Sequence, residues 1–175
     1  MGLIKRLLEI NYKLKNKDAK FYKKLGVNIA GDDVNILNSD LDENYPYLLS
    51  IGNHVTITHS TVLTHDATTI DFSGYTKVGK VSIGSHVFVG YNSLVLPGST
   101  IGSRVIIGAN SMVKGDVPSN GVYAGNPLRY ICSYDEYVEK HMHKMENNSF
   151  AASFVKEERD KLLEALDKNK ISYSK

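Results

Sequence analysis

The chain has 175 residues, of which 42% are hydrophobic and 23% are charged. This composition is typical of a globular protein with an ordinary hydrophobic core, and it excludes a disordered chain. The formal net charge of +2 is close to neutral, so no overall basic field predicts binding to nucleic acid. Cys132 is the single cysteine, which excludes an intrachain disulfide and favours a reducing compartment such as the cytoplasm.

The first 26 residues have a helical pattern. Lysines recur from Lys13 to Lys24 and alternate with apolar residues, as on the solvated face of an amphipathic helix. The N-terminus lacks the apolar run of a signal peptide, and no stretch is long enough to span a bilayer. We therefore expect no stable membrane insertion. Residues 27–36 follow, and their spaced aliphatic side chains predict an irregular first coil of the next domain.

A six-residue repeat dominates the middle of the chain. An aliphatic residue returns at every sixth position, at Ile83, Val89, Val95, Ile101, Ile107 and Val113. A small or β-branched residue stands four positions after each, at Val87, Ser93, Ser99, Val105, Ser111 and Val117. Glycine often follows the aliphatic residue. An earlier stretch has the same step at Ile51, Ile57 and Leu63, with Gly52, Val55 and Thr61 in matching places.

Neither a helix nor a plain strand explains this period, because residues six apart face different sides of a helix and a strand has no regular glycine. A short strand followed by a bend fits it. Three such units return the chain to its starting side, about 4.8 Å further along the axis. Both sets of residues then point inward, and glycine permits the backbone conformations that the corners need. The repeat predicts an all-β solenoid, a parallel β-helix over residues 27–131.

Two segments interrupt the repeat. Its phase is lost in a polar loop at residues 64–80, and a loop that leaves a regular solenoid is commonly functional. The segment Val122–Arg129 is expected to end the prism.

The region 132–175 is charged and helical, and Glu157–Lys168 has the spacing of an amphipathic helix. We expect this extension and the helical segment 1–26 to cover the open ends of the solenoid.

Three motifs within residues 45–131 resemble the hexapeptide-repeat acetyltransferases, whose fold is a left-handed parallel β-helix. They are Pro46–Gly52 followed by Leu63–Asp66, then Ile83–Gly90 leading through Leu96–Gly98 to Ile107–Ala109, and finally Ala124–Arg129. The resemblance implies an acyltransferase that takes an acetyl group from acetyl-CoA. It also implies a homotrimer whose active sites lie between neighbouring prisms. The motifs do not specify the acceptor.

His65 opens the non-repeating loop and corresponds to the catalytic histidine of the family. An acceptor hydroxyl is a poor nucleophile until its proton is removed as it attacks the thioester, and imidazole is suited to be that general base near neutral pH. Asp66 follows directly and is the second catalytic candidate. It could orient the imidazole ring, contact the acceptor or cap the turn.

The resemblance assigns cofactor binding to Tyr91, Ala109, Lys114 and Arg129. The flat wall of a prism suits the pantetheine arm of CoA, and a small residue such as Ala109 lets the arm approach. Tyr91 is bulkier than the residue usual in the family. Lys114 stands in Lys-Gly-Asp where many relatives have Thr-Lys-Asp, so it is displaced by one position. Arg129 matches a basic residue near the CoA phosphates, for which a guanidinium is well shaped.

Asn38 is the candidate acceptor contact, in a polar stretch where relatives place such contacts. A hydrophilic loop explains this stretch equally well; its other members are Asp40, Asp42 and Glu43. Sugar hydroxyls are common acceptors of similar enzymes, so the leading hypothesis is an O-acetyltransferase acting on a sugar or a polysaccharide precursor, with no metal.

Three alternatives remain open. One is a serine or amine acetyltransferase of the same fold, and another is a non-catalytic hexapeptide-repeat scaffold. The third is a zinc hydratase, which needs three imidazoles around the metal; the candidates are His54, His59 and His86.

Overall fold

The computed structural model describes residues 17–150, with the side chains to residue 143, and residues 173 and 174. They fall into two compact units, one ending at Tyr134 and one beginning at Asp135. The predicted helix Glu157–Lys168 and the first 16 residues lie outside the described residues.

In the first unit, successive strands of the β-helix belong in turn to three sheets. The first sheet contains β1 (Asn28–Ile29), β4 (Leu49–Ile51), β9 (Val81–Ile83), β12 (Thr100–Ile101) and β15 (Asp116–Val117). The second contains β2 (Val34–Leu37), β5 (Val55–Thr58), β10 (Val87–Val89), β13 (Val105–Ile107), β16 (Gly121–Ala124) and β17 (Arg129–Ser133). The third contains β3 (Asp40–Leu41), β6 (Thr61–Val62), β11 (Leu94–Val95) and β14 (Met112–Val113). Apart from the antiparallel pair β16–β17, all neighbours in these sheets are parallel, which confirms the predicted parallel β-helix.

Aliphatic side chains fill the inside of the prism. The predicted column is buried, with at most 2% of each side chain exposed, at Ile83, Val89, Val95, Ile101, Ile107 and Val113. Residues 27–36 do not form an irregular coil, as the sequence suggested. They form a regular one, because β1 and β2 pair in register with β4 and β5 and bury their aliphatic side chains in the same core.

Two positions of the repeat were predicted wrongly, because two corners are shorter than six-residue spacing implies. Val62 pairs with Val95 and is buried, so Val62 rather than Leu63 occupies the inner column. The corner after Ile57 is one residue shorter than its counterpart after Val89. Val117 pairs with Ile101 and therefore belongs to the aliphatic column, not to the set of small residues.

Serines at the corner between the second and third sheets connect successive coils. The Ser93 hydroxyl donates to the carbonyl oxygen of Gly108 at 3.1 Å and accepts from the N–H of Ser111 at 3.2 Å. Ser60 forms the same two bonds one coil earlier, to Gly90 and to the N–H of Ser93. A small hydroxyl side chain is needed here because the corner leaves buried peptide groups that strand pairing does not satisfy.

Glycine has a different role from the one expected at the corner between the first and second sheets. A Cβ on Gly84 would lie 2.8 Å from the carbonyl atoms of Gly102 in the next coil. Close approach of backbones, not a left-handed φ, therefore requires glycine there. The left-handed φ angles occur two residues later, at His54 (54°), His86 (57°) and Arg104 (56°).

Among the described residues, three helices accompany the strands: α1 (Ala19–Leu25), α2 (Ile70–Ser73) and α3 (Tyr134–Asn148). The Asp18 carboxylate caps the start of α1, and Gly26 ends the helix with a φ of 118°.

The non-repeating loop contains β7 (His65–Asp66) paired antiparallel with β8 (Lys77–Val78), the 3-10 helix Ala67–Thr69, and α2. A second 3-10 helix spans Pro46–Leu48, and β18 (Ser149–Phe150) pairs with β19 (Tyr173–Ser174). Within the described part of the chain, no helix is both long and apolar enough to cross a membrane.

Ser93→Ala should lower the free energy of unfolding by about 1–3 kcal/mol, because the buried N–H of Ser111 loses its acceptor. Urea denaturation measures this loss. Ser82→Ala is the matched control, since Ser82 is exposed on β9, and it should change stability by less than about 0.5 kcal/mol. Equal losses in the two variants would contradict the structural role of the serine column.

Candidate active site

The corner between the third and first sheets carries the polar residues of the candidate site. We call it the catalytic edge, after the role that the sequence predicts for His65. Asp42 follows β3 there, His65 and the loop follow β6, Leu96–Gly98 follow β11, and Lys114 follows β14. Because successive coils lie one above another, residues far apart in sequence become neighbours along this edge.

A buried carboxylate holds the imidazole of His65. Nδ1 of His65 hydrogen-bonds to Oδ2 of Asp42, whose side chain is 1% exposed while that of His65 is 24% exposed. The Tyr45 ring lies against the imidazole, with 5.4 Å between ring centroids. An ionised carboxylate only accepts hydrogen bonds, so Nδ1 carries the hydrogen and Nε2 is left with a free lone pair. This is the tautomer that a general base requires.

Several donors keep Asp42 ionised. Burial favours the neutral acid, but the bond from His65 and those from the N–H and hydroxyl of Thr64, both at 2.9 Å, outweigh it. The N–H of Asn44 donates to the other oxygen at 3.0 Å. Together they hold the pKa of Asp42 at about 2, below its ordinary value of 3.8. The carboxylate is therefore charged at neutral pH.

Asp42 is not recognisable from the sequence as the partner of His65, because it stands in a polar stretch whose members could equally contact the acceptor. The signal was available once the coil length was known, since Asp42 stands about one coil before His65 and is expected to stack next to it.

Asp66 caps the turn. Its Oδ1 accepts from the N–H of Thr68 at 2.9 Å at the start of the 3-10 helix, and its Oδ2 lies 3.4 Å from Nζ of Lys77. The Thr68 N–H is the main cause that lowers the pKa of Asp66, with a smaller contribution from Lys77. Asp42, not Asp66, orients the His65 ring.

A groove of about 750 Å³ opens beside His65. Its apolar wall includes Leu96 and Pro97 from the next coil, and its polar residues are His65, Asp66, Lys77 and Lys114. The groove is large enough for part of a ligand, and a basic nitrogen and two ammonium groups line it. The structure thus brings Lys114 to the same edge as His65.

The other candidates lie elsewhere on the prism. Tyr91, Ala109 and Asn38 belong to the corner between the second and third sheets. We call it the cofactor edge, because the family resemblance assigns cofactor binding to Tyr91 and Ala109. Nδ2 of Asn38 is 3.1 Å from Nε2 of His59, and the rings of His59 and Tyr91 are 4.7 Å apart. Arg129 begins β17 opposite Ala124, in the second sheet. The candidates for one active site are therefore divided among these two edges and the start of β17.

The three histidines of the zinc alternative do not lie at one place. The rings of His54 and His86 stack 4.6 Å apart at the corner between the first and second sheets, and Nδ1 of His54 lies 2.5 Å from Asp33. His59 is on the cofactor edge. Within residues 17–143, no three His, Cys, Asp or Glu side chains are grouped so that they could hold a metal ion.

Comparison with known proteins agrees with this architecture. The sequence pattern of the family described as bacterial transferase hexapeptide (six repeats) matches residues 80–115. Protein CapG of Staphylococcus aureus is 46% identical over 125 residues, which are 67% of this chain and 72% of CapG. YvoF of Bacillus subtilis (strain 168) is 33% identical over 57% of this chain, which spans only 56% of YvoF. A solved maltose O-acetyltransferase from Clostridium difficile 630 superimposes with a TM-score of 0.53 at 26% identity, covering 65% of this chain and 73% of that chain.

Asp42→Asn should remove part of the acid sensitivity of the fold. Because the folded-state pKa of Asp42 is depressed, ionised Asp42 contributes stability that is present above about pH 4 and is lost as the pH falls through about 2. The shift corresponds to roughly 2 kcal/mol at 1.36 kcal/mol per pKa unit. Urea denaturation between pH 5 and pH 2 should show the stability advantage of the wild type over Asp42→Asn shrinking by about this amount.

The control for this measurement is Asp40→Asn, the same change at a neighbouring carboxylate whose side chain is 79% exposed. Its unfolding free energy should follow the wild-type pH dependence within about 0.5 kcal/mol. If Asp42→Asn also follows it, Asp42 does not stabilise the fold through its charge.

Proposed function

Because the chain belongs to the hexapeptide-repeat family of bacterial transferases, and is an acyltransferase with their left-handed β-helix, we propose that it transfers an acetyl group from acetyl-CoA to a hydroxyl of a sugar or polysaccharide precursor. The observation that carries this proposal is the buried Asp42 that fixes His65 with a free Nε2 beside a groove. A scaffold has no need for such a fixed base.

In the proposed reaction His65 is the general base. Nε2 takes the proton of the acceptor hydroxyl as its oxygen forms a bond to the acetyl carbonyl carbon. The bond between this carbon and the sulfur of CoA then breaks, and the imidazolium returns the proton to the departing thiolate. Asp42 holds the ring in the productive tautomer throughout and stabilises the imidazolium by its negative charge. The products are the acetyl ester and free CoA.

The remaining candidates are assigned by charge and position. Ala109 and Tyr91 lie exposed on successive coils of the cofactor edge, where the pantetheine arm would run. Arg129 and Lys114 are exposed cations suited to the CoA phosphates. Asp66 and Asn38 would contact the acceptor. The sugar acceptor is supported by the likeness to a maltose O-acetyltransferase; serine or amine acceptors are the alternatives that the assay below distinguishes.

The division of the candidates between two edges supports a homotrimer with composite sites. A site that contains both His65 and Ala109 requires the catalytic edge of one copy beside the cofactor edge of a second. In a closed ring of identical subunits, each copy uses both edges in the same interface, so neither edge is left without a partner. We therefore place each active site between two copies of the chain.

His65→Ala should lower kcat by about 10²–10⁴-fold, the usual contribution of a general base. Release of free thiol from acetyl-CoA, measured across sugars, serine and simple amines, gives the rate and identifies the acceptor class. Acetyl-CoA should still bind to the variant, because its binding residues are unchanged. His86→Ala is the matched control and should retain wild-type turnover, since His86 stacks on His54 away from the catalytic edge. No turnover of any acceptor by the wild type would favour the scaffold.

Mixed trimers test the composite site. His65→Ala impairs the catalytic edge, and Ala109→Trp blocks the cofactor edge with a bulky ring. Each variant alone should be inactive, but refolding them together should restore turnover, because some interfaces then combine two intact edges. Mixing His65→Ala with Asp42→Asn is the control that should stay inactive, since both changes impair the catalytic edge. Trimers that form from the first pair without activity would place the whole site within one chain.

A further inference from the structure

We infer that Tyr22 is a positioning residue for this reaction: its buried hydroxyl fixes β3, and through β3 the carboxylate that orients His65. The inference rests on the proposed function, since it concerns the same base. It adds to the site a residue that lies in α1, outside the repeat and outside every motif that carried the family resemblance.

Tyr22 completes the open end of the third sheet. Among the described strands, β3 has β6 as its neighbour on one side and is the last strand of its sheet on the other. The Tyr22 hydroxyl accepts from the N–H of Leu41 at 3.1 Å and donates to the carbonyl oxygen of Ser39 at 3.2 Å. The side chain is 0% exposed. One phenol oxygen thus takes the place of the peptide groups that a further strand would supply.

These two bonds lie directly before the carboxylate of the site. Asp42 follows Leu41 in the chain, and its own N–H donates to the carbonyl oxygen of Val62 at 2.9 Å. The end of β3 is therefore held by Tyr22 on one side and by β6 on the other, directly next to Asp42. Without the hydroxyl, the N–H of Leu41 and the carbonyl of Ser39 are buried and unpaired. Moving the strand toward water then lowers its free energy, because water can pair with these two groups. Such a movement shifts the carboxylate relative to Nδ1 of His65.

Tyr22 is itself fixed. The Asp18 carboxylate caps α1 by accepting from the N–H of Phe21 at 2.8 Å, and the carbonyl of Tyr22 accepts from the N–H groups of Gly26 and Val27. Burial raises the pKa of Tyr22, so the phenol keeps the proton that it donates. By contrast, Lys17 pairs with Asp40 and Glu43 on the surface, where an ion pair contributes little. The buried hydroxyl of Tyr22 thus connects α1 to β3 by two hydrogen bonds.

The test is Tyr22→Phe in the full chain, which removes one oxygen and keeps the ring. We expect kcat to fall about tenfold, less than the roughly 10²-fold that a 1 Å misplacement can cause, while KM for acetyl-CoA stays unchanged. Ile29→Val is the control for simple loss of stability. Ile29 is buried at the same end of the prism, in β1, but its aliphatic side chain forms no hydrogen bond to β3. An equal fall in kcat in both variants at equal loss of Tm would overturn the inference.

A spectroscopic measurement separates this inference from the proposed function. In ¹⁵N-labelled protein, the proton on Nδ1 of His65 should give a downfield resonance in the wild type and in Ile29→Val. It should move upfield or broaden in Tyr22→Phe. A wild type that acetylates nothing would refute the proposed function, and the resonance would still decide the role of Tyr22. Retention of both the resonance and full kcat in Tyr22→Phe overturns the inference.

Asp18→Ala provides a second variant should Tyr22→Phe fail to fold. It removes the cap of α1 without touching Tyr22, so the hydroxyl should be held less firmly. We expect a smaller fall in kcat and partial broadening of the His65 resonance. An unchanged kcat together with an unchanged resonance in Asp18→Ala would then overturn the positioning role.

Discussion

The hydrogen bonding of each coil to the next, at one strand spacing, is the constraint on which the rest of this structure depends. It requires aliphatic side chains to stack in columns. It leaves no room for a Cβ on Gly84, because the backbone of Gly102 in the next coil lies too close. It also leaves buried peptide groups at the corners, which Ser60 and Ser93 satisfy. The same stacking brings Asp42 next to His65, so the candidate active site is a consequence of the coil repeat and not an addition to it.

The electrostatics of the catalytic edge follow from that placement. A carboxylate that is almost fully buried stays ionised only when donors surround it, and Thr64, Asn44 and His65 supply them from the neighbouring coil and the adjoining turn. Asp66 is more exposed and serves to cap the loop. Two aspartates close to one histidine thus have different roles, and burial with hydrogen bonding decides which of them governs the imidazole.

The position of the insertion also has a physical reason. The loop leaves the prism directly after Thr64, at a corner, where no strand pairing is interrupted. Its antiparallel pair β7–β8 returns the chain to β9 in register, so the core below is undisturbed. Function can therefore vary in the loop while the prism keeps its stability, which is the usual relation between a rigid scaffold and the loops that act on ligands.

The β-helix and its aliphatic columns are predictable from the sequence, because a period of six is a local property that every window of the repeat displays. The role of His65 is a prediction from its place at the start of the non-repeating loop and from the family resemblance. The sequence did not determine that the corners after Ile57 and Val113 are shorter, and so it misplaced Leu63 and Val117. The pairing of His65 with Asp42, the contact of Tyr22 with β3, and the separation of Lys114 from Tyr91 and Ala109 became visible in the folded chain. These contacts join residues about one coil apart or in different elements, and their geometry depends on the exact length of every corner between them.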